Sequence, residues 1–174
     1  MKSRRLLLLL PLVLLFVAAA RKQAIAVRFH VEANARDGET FAMPVKFENP
    51  PRAGFVERIP SLSERDIKAI FPTRTPDGTF GCAFMLTAHG RFALQSLSSE
   101  RRGSSLVVFV STKTGMHQVV DLMIDKPIAD GVVYVPGGLT GLEIEALQKQ
   151  FPTLGQDKNK KAIEGNAPPR AVKA

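Results

Sequence analysis

Cysteine is almost missing from this chain: Cys82 stands alone among 174 residues. No intrachain disulfide can form, and no Cys-x-x-Cys pair is available to hold a metal. In an oxidising compartment such a cysteine is either buried or pairs between chains. Cys82 alternates with Phe80, Phe84 and Leu86, so a buried, inert thiol on one strand face is expected. Long apolar runs are equally scarce, since Leu6 to Ala20 is the only one. Catalytic signatures are missing as well. There is no Gly-x-Ser-x-Gly elbow. Gly137-Gly138 is followed by no P-loop lysine and does not have dinucleotide-fold spacing, so it reads as a turn.

A large one-signed charge is also lacking where it would matter. The formal net charge is +8, but three basic residues fall in the first five positions. Five more (Lys158, Lys160, Lys161, Arg170, Lys173) fall after Gln156, against Asp157 and Glu164. Residues 21–155 keep 16 basic and 14 acidic groups. That near-neutral body is not the electrostatic footprint of a nucleic-acid binder. Residues 156–174 read as a disordered basic tail that can graze anionic lipid or acidic polymers.

The most informative stretch is Met1 to Ala20. Lys2, Arg4 and Arg5 precede fifteen residues without a polar side chain, and the run ends in three alanines. A basic start, an apolar centre and small residues at the end describe a secretory signal. A spanning helix normally needs about 20 apolar residues. Cleavage is expected after Ala20 or Ala26; if it fails, the run is an anchor. Ser3-Arg4-Arg5 is similar to a twin-arginine signal, yet the leucine core suits the general secretory route. No cysteine is near, which argues against a lipoprotein. The expected location is periplasmic or secreted, with no membrane span once the signal is removed.

About 150 residues remain, the usual size of one domain. Val27, Phe29 and Val31 alternate with Arg28, His30 and Glu32, the period of a half-buried strand. A weaker strand is expected from Met43 to Glu48, ended by Pro50-Pro51, and an extended piece at Phe55 to Ile59; these fill residues 27–60 with linker. Ser61 or Ser63 predicts a helix cap, with Ile67, Ile70 and Phe71 at helical spacing and Pro72 as the stop. A strand follows from Thr79 to Leu86, then a helix capped by Thr87 and ended by Gly103. Leu106 to Val110 is apolar throughout and predicts a central strand covered on both faces. Ser111 to Gly115 is a polar turn, His117 to Ile124 and Val132 to Val135 are strands, and Thr140 opens a last helix with Glu143. This order predicts a single α+β domain, an antiparallel sheet with helices on one face, over residues 61–155.

From about Phe55 to Phe151 the sequence resembles the head of the first periplasmic region of SecD, an accessory membrane subunit of the bacterial protein-export machine. SLSERDIKAI is similar to that family's helix start. DGTFGCAFMLTAHGRFALQSLS is similar to its strand, threonine turn and amphipathic helix. RRGSSLVVFV and IDKPIADGVVYVPGGLTGLEIEAL match its apolar strand, proline-containing hairpin and Thr-capped helix. The longer STKTGMHQ replaces the family's Asp-Gly turn, and the membrane helices that use proton flow are not in this sequence. The resemblance implies an exported head-like module whose relatives contact polypeptide leaving the export channel, with no catalytic residue to carry over.

Chemistry-bearing residues are dispersed. His30, on the polar face of the first strand, His89 and His117 share no metal spacing; Asp121, Asp125 and Asp130 lack the ligand density of a calcium loop, and Asp121 and Asp125 read as an exposed polar strand face. A helix N-terminus disfavours an imidazolium at His89. Arg101-Arg102 complement a helix C-terminus and can equally serve binding. The expectation is a non-catalytic module without metal or cofactor, binding a protein or unfolded polypeptide in the envelope. Arg101, Arg102, Thr112 and Asp130 form its candidate surface. The alternatives are an envelope hydrolase using His117, Asp121 and Asp125, and a structural envelope protein.

Overall fold

The computed structural model describes residues 25–154, so the leader and the basic tail read from the sequence lie outside the described residues. Nine strands and two α-helices follow one another. They are β1 (Ile25–Ala33), β2 (Ala42–Glu48), β3 (Pro51–Glu57), β4 (Leu62–Ser63), β5 (Ile67–Arg74) and β6 (Phe80–Leu86). Then come α1 (Ala88–Glu100), β7 (Ser105–Thr112), β8 (Gly115–Met123), β9 (Val132–Leu139) and α2 (Gly141–Gln150). The larger sheet runs β2-β3-β1-β7-β8 with the short β4 beside β1, and the smaller runs β5-β6-β9. All these strand pairs are antiparallel. The α+β class expected from the order of elements is the one observed.

Both sheets send one face into a common core. Val27, Phe29 and Val31 from β1 meet Ile70, Phe84 and Val135 from the smaller sheet, with Leu94 of α1 and Leu147 of α2 closing the sides. Phe29 and Phe84 touch edge to face, ring centres 5.7 Å apart. Each such buried side chain stabilises the fold by about 1.5–3 kcal/mol. β7 is covered on both faces, as its unbroken apolar run requires: Leu106, Val108 and Val110 join the main core. Val107 and Phe109 face the other way, into a second small core with Phe47 and Val56 of the β2–β3 hairpin. That hairpin folds over the back of β7 and β8.

The helix expected from Ser61 is not there. Ser63 and Asp66 do form a reciprocal cap, but only around a single 3₁₀ turn, Glu64–Asp66. From Ile67 onward the chain is β5, paired along its length with β6. Pairing with a ready apolar neighbour outweighs the local helical spacing, since strand preference is decided by what the side chains pack against. Pro72 does not stop a helix; it lies on the outer side of an edge strand. The other caps form where expected. Thr87 accepts the Gly90 amide, Thr140 and Glu143 form a capping box, and Gly103 adopts a φ of 83° to end α1.

Candidate strand-edge groove

A sheet edge is a row of backbone donors and acceptors, and two edges of this fold are occupied. On β2, the Ala42 amide donates to the Gly38 carbonyl at 3.0 Å. Pro44 has no N–H to offer. Gln118 Nε2 donates to the Lys46 carbonyl at 3.0 Å, and the Glu48 amide donates to Asp121 Oδ1 at 3.0 Å. On β5, the Ile70 amide donates to the Pro152 carbonyl and the Leu154 amide to the Ile70 carbonyl, both at 2.9 Å. Two residues further along that same side stands Pro72, again without a donor.

The outer edge of β8 is different. β8 ends the larger sheet, and its start at Gly115–His117 has no backbone partner on that side among the described residues. Here the β7–β8 turn and the first turn of α2 enclose a groove of about 600 Å³, lined by Thr112, Met116, His117, Leu142, Glu143 and Ala146 among others. Met116 is 55% exposed and Leu142 78% exposed, a large apolar surface for two neighbouring elements. Lys113 and Glu143 are the lysine and carboxylate in its lining. Glu143 is buried, accepts the Thr140 amide and hydroxyl through Oε2 at 2.9 Å, and turns Oε1 to His117 Nδ1 at 3.6 Å. Its capping role thus fixes the carboxylate, leaving one oxygen beside the groove.

The four residues singled out in the sequence fall at two ends of the β7–β8 hairpin. Thr112 sits at the groove end, where it pairs with Gly115. Arg101 and Arg102 lie at the other end: Arg101 bonds Glu57 at 2.8 Å and Arg102 donates to the Asp125 carbonyl at 3.3 Å. Asp130 follows Asp125 in the loop to β9 and accepts the Val132 amide at 3.1 Å.

The trio considered for catalysis is not brought together. His117 pairs opposite Val110 and faces α2, whereas Asp121 pairs opposite Val107 and faces the β2–β3 hairpin. Asp121 is buried, contrary to the exposed polar face expected, because that hairpin covers it. It accepts the amides of both Glu48 and Asn49 at 3.0 Å. Asp125 is exposed. His30 was likewise expected on a polar face, and the same hairpin buries it. Its Nδ1 donates to the Glu57 carbonyl at 2.7 Å and its ring stands edge-on to Phe109. Burial is the main cause lowering its pKa, with Arg28 adding to the effect and the Glu57 carbonyl opposing it. Cys82 is enclosed, and burial raises its thiol pKa to about 12. Among the described residues no group of three metal-ligating side chains is gathered.

Met116 and Leu142 were not singled out from the sequence, yet each left a signal. Met116 is an apolar residue at the end of a polar turn. Leu142 lies off the Ile144–Leu147–Phe151 line that α2 buries.

No known protein family matches the chain, and no curated protein does either. Solved structures of SecDF do share part of the fold. One, a study of "a membrane component SecDF that enhances protein export", matches with a TM-score of 0.48 and 12% identity over 72% of this chain. Another, SecDF in a "super-membrane-facing form", matches with a TM-score of 0.48 and 15% identity, also over 72% of this chain. The resemblance to SecD is partial. The aligned part is 61% of the first of those chains and 18% of the second.

Proposed function

We propose that this chain is an exported, non-catalytic module of the SecD-head type that holds an extended polypeptide against the β8 edge. One observation carries the reading: an unpartnered strand edge lies beside an apolar groove, while the β2 and β5 edges are occupied or proline-blocked. A strand added to an open edge gains affinity from main-chain hydrogen bonds and selectivity from pockets for alternate side chains. Met116 and Ala146 offer an apolar seat for one side chain in two, and Glu143 with His117 supplies a polar limit to it. The basic, leucine-rich leader supports delivery outside the cytosol. No described helix is long and apolar enough to cross a membrane.

The test uses a fluorescent peptide with alternating apolar residues and a copy N-methylated at every second amide. Binding should fall at least tenfold on methylation, because edge pairing needs those donors, and similarly in Met116→Asp. A photo-crosslinker at Met116 should label the peptide, and one at Asp130, at the far end, should not. Equal binding of the two peptides, or equal labelling from both positions, overturns the reading.

A further inference from the structure

Glu143 lines the β8 groove, and its two carboxylate oxygens are unequally used. Oε2 accepts the Thr140 amide and hydroxyl, both at 2.9 Å. Oε1 accepts no hydrogen bond among the described residues. His117 Nδ1 stands 3.6 Å from it, beyond hydrogen-bond reach, and is a cation only when protonated. No lysine or arginine forms an ion pair with this carboxylate among the described residues. Yet the side chain is only 7% exposed. A carboxylate withdrawn from water is costly until its oxygens have partners.

We propose that Glu143 makes the groove selective for a cationic side chain. The extended segment at the β8 edge carries a lysine or arginine whose terminal nitrogen donates to Oε1. Side chains alternate along a strand, so residues two positions apart enter the same groove. The residue two away from the cation is apolar, because Leu142 and Ala146 share the lining with Glu143. This inference rests on the reading that a polypeptide lies along that edge, and it names which polypeptide. Lys113 is the opposing charge in the lining. It is exposed in the β7–β8 turn, where an ion pair is hydrated and gains little. Glu143 is buried and already oriented by two hydrogen bonds from Thr140, so a charge-assisted bond to its second oxygen is strong. An acidic segment meets a buried like charge instead, and selectivity gains as much from that repulsion as from the new bond.

The test gives the full chain fluorescent peptides of one alternating apolar frame. Lysine, norleucine or glutamate replaces one apolar position at a time. At the best position the lysine peptide should bind about tenfold tighter than the glutamate peptide, and tighter than norleucine as well. Glu143→Gln keeps an oxygen for the Thr140 cap, since glutamine serves in a capping box. There the lysine-over-glutamate ratio should collapse to about one, while norleucine binding stays as it was and shows the groove intact. A lysine preference of undiminished size in Glu143→Gln overturns the assignment. So does a glutamate preference that disappears in Lys113→Ala, which gives the groove to an acidic segment. Backbone methylation reports on the edge separately. A Glu143-dependent lysine preference that survives methylation overturns edge pairing and keeps the carboxylate contact. Methyl-sensitive binding without a charge preference overturns only the contact, and no binding of any peptide overturns both.

Discussion

The carboxylate of Asp121 on β8 accepts the amide N–H of Glu48 at the end of β2, 3.0 Å away and 73 positions apart in sequence. Its second oxygen takes the Asn49 amide. One buried side chain therefore satisfies two backbone donors that no strand reaches, and it latches the β2–β3 hairpin over β7 and β8. Beneath the latch lie Phe47, Val56, Val107 and Phe109.

Asp121→Ala should destabilise the fold by about 3 kcal/mol, the range for losing two hydrogen bonds to a charged group. Asp121→Asn keeps one acceptor oxygen and should cost about half as much. Urea unfolding midpoints measure both. A loss of under about 0.5 kcal/mol for the alanine variant, the range of ordinary surface substitutions, removes the latch role.

His30 gives the hairpin a pH dependence. Its folded pKa is depressed, chiefly by burial, so the neutral ring is favoured in the native state. A depressed base contributes stability that is present above its ordinary value, about 6.5, and is lost as pH falls through the folded value. Denaturant midpoints should therefore drop between pH 7 and pH 5. His30→Asn retains a donor for the Glu57 carbonyl but does not titrate, and its midpoint should change less over that range.

Cys82 acts in the opposite pH range. Its thiol pKa is raised from 9.0 to about 12, so the fold favours the protonated form. That contribution is complete below about pH 9 and disappears as pH rises toward 12. A thiol reagent should leave the native protein unlabelled at pH 8 and label it fully in denaturant. Rapid native labelling would mean the strand face of β6 is open.

Thr140 holds the first turn of α2 and, through it, the Glu143 carboxylate at the groove. Thr140→Ala removes a helix cap and should cost about 1 kcal/mol. Peptide affinity at the β8 edge should fall as well, because the groove wall loses its anchor. Thr140→Ser keeps the hydroxyl and should restore both thermal stability and binding.

Much of the fold was readable locally. The alternation in β1, the unbroken apolar run of β7 and the caps at Thr87 and Thr140 are short-range signals, and each element stands where its signal lies. The Ser61–Phe71 helix failed because Ile67, Ile70 and Phe71 fit a helical stripe as well as a strand, and pairing with β6 decided between them. The groove was less legible. Met116 and Leu142 carry no motif, and only the folding together of a turn and a helix start, 26 positions apart, makes them neighbours in one groove.

The amino-acid order alone determined the strand and helix signals, the basic start and leucine-rich run of the first twenty residues, the solitary cysteine and the near-neutral body, because these depend on neighbours within a few residues. Tertiary structure alone decided that Asp121 and His30 are buried, that proline and strapping close the β2 and β5 edges, and that the start of β8 is left unpaired. Those outcomes depend on which faces meet across dozens of residues, and long-range packing, unlike periodicity, leaves no local mark.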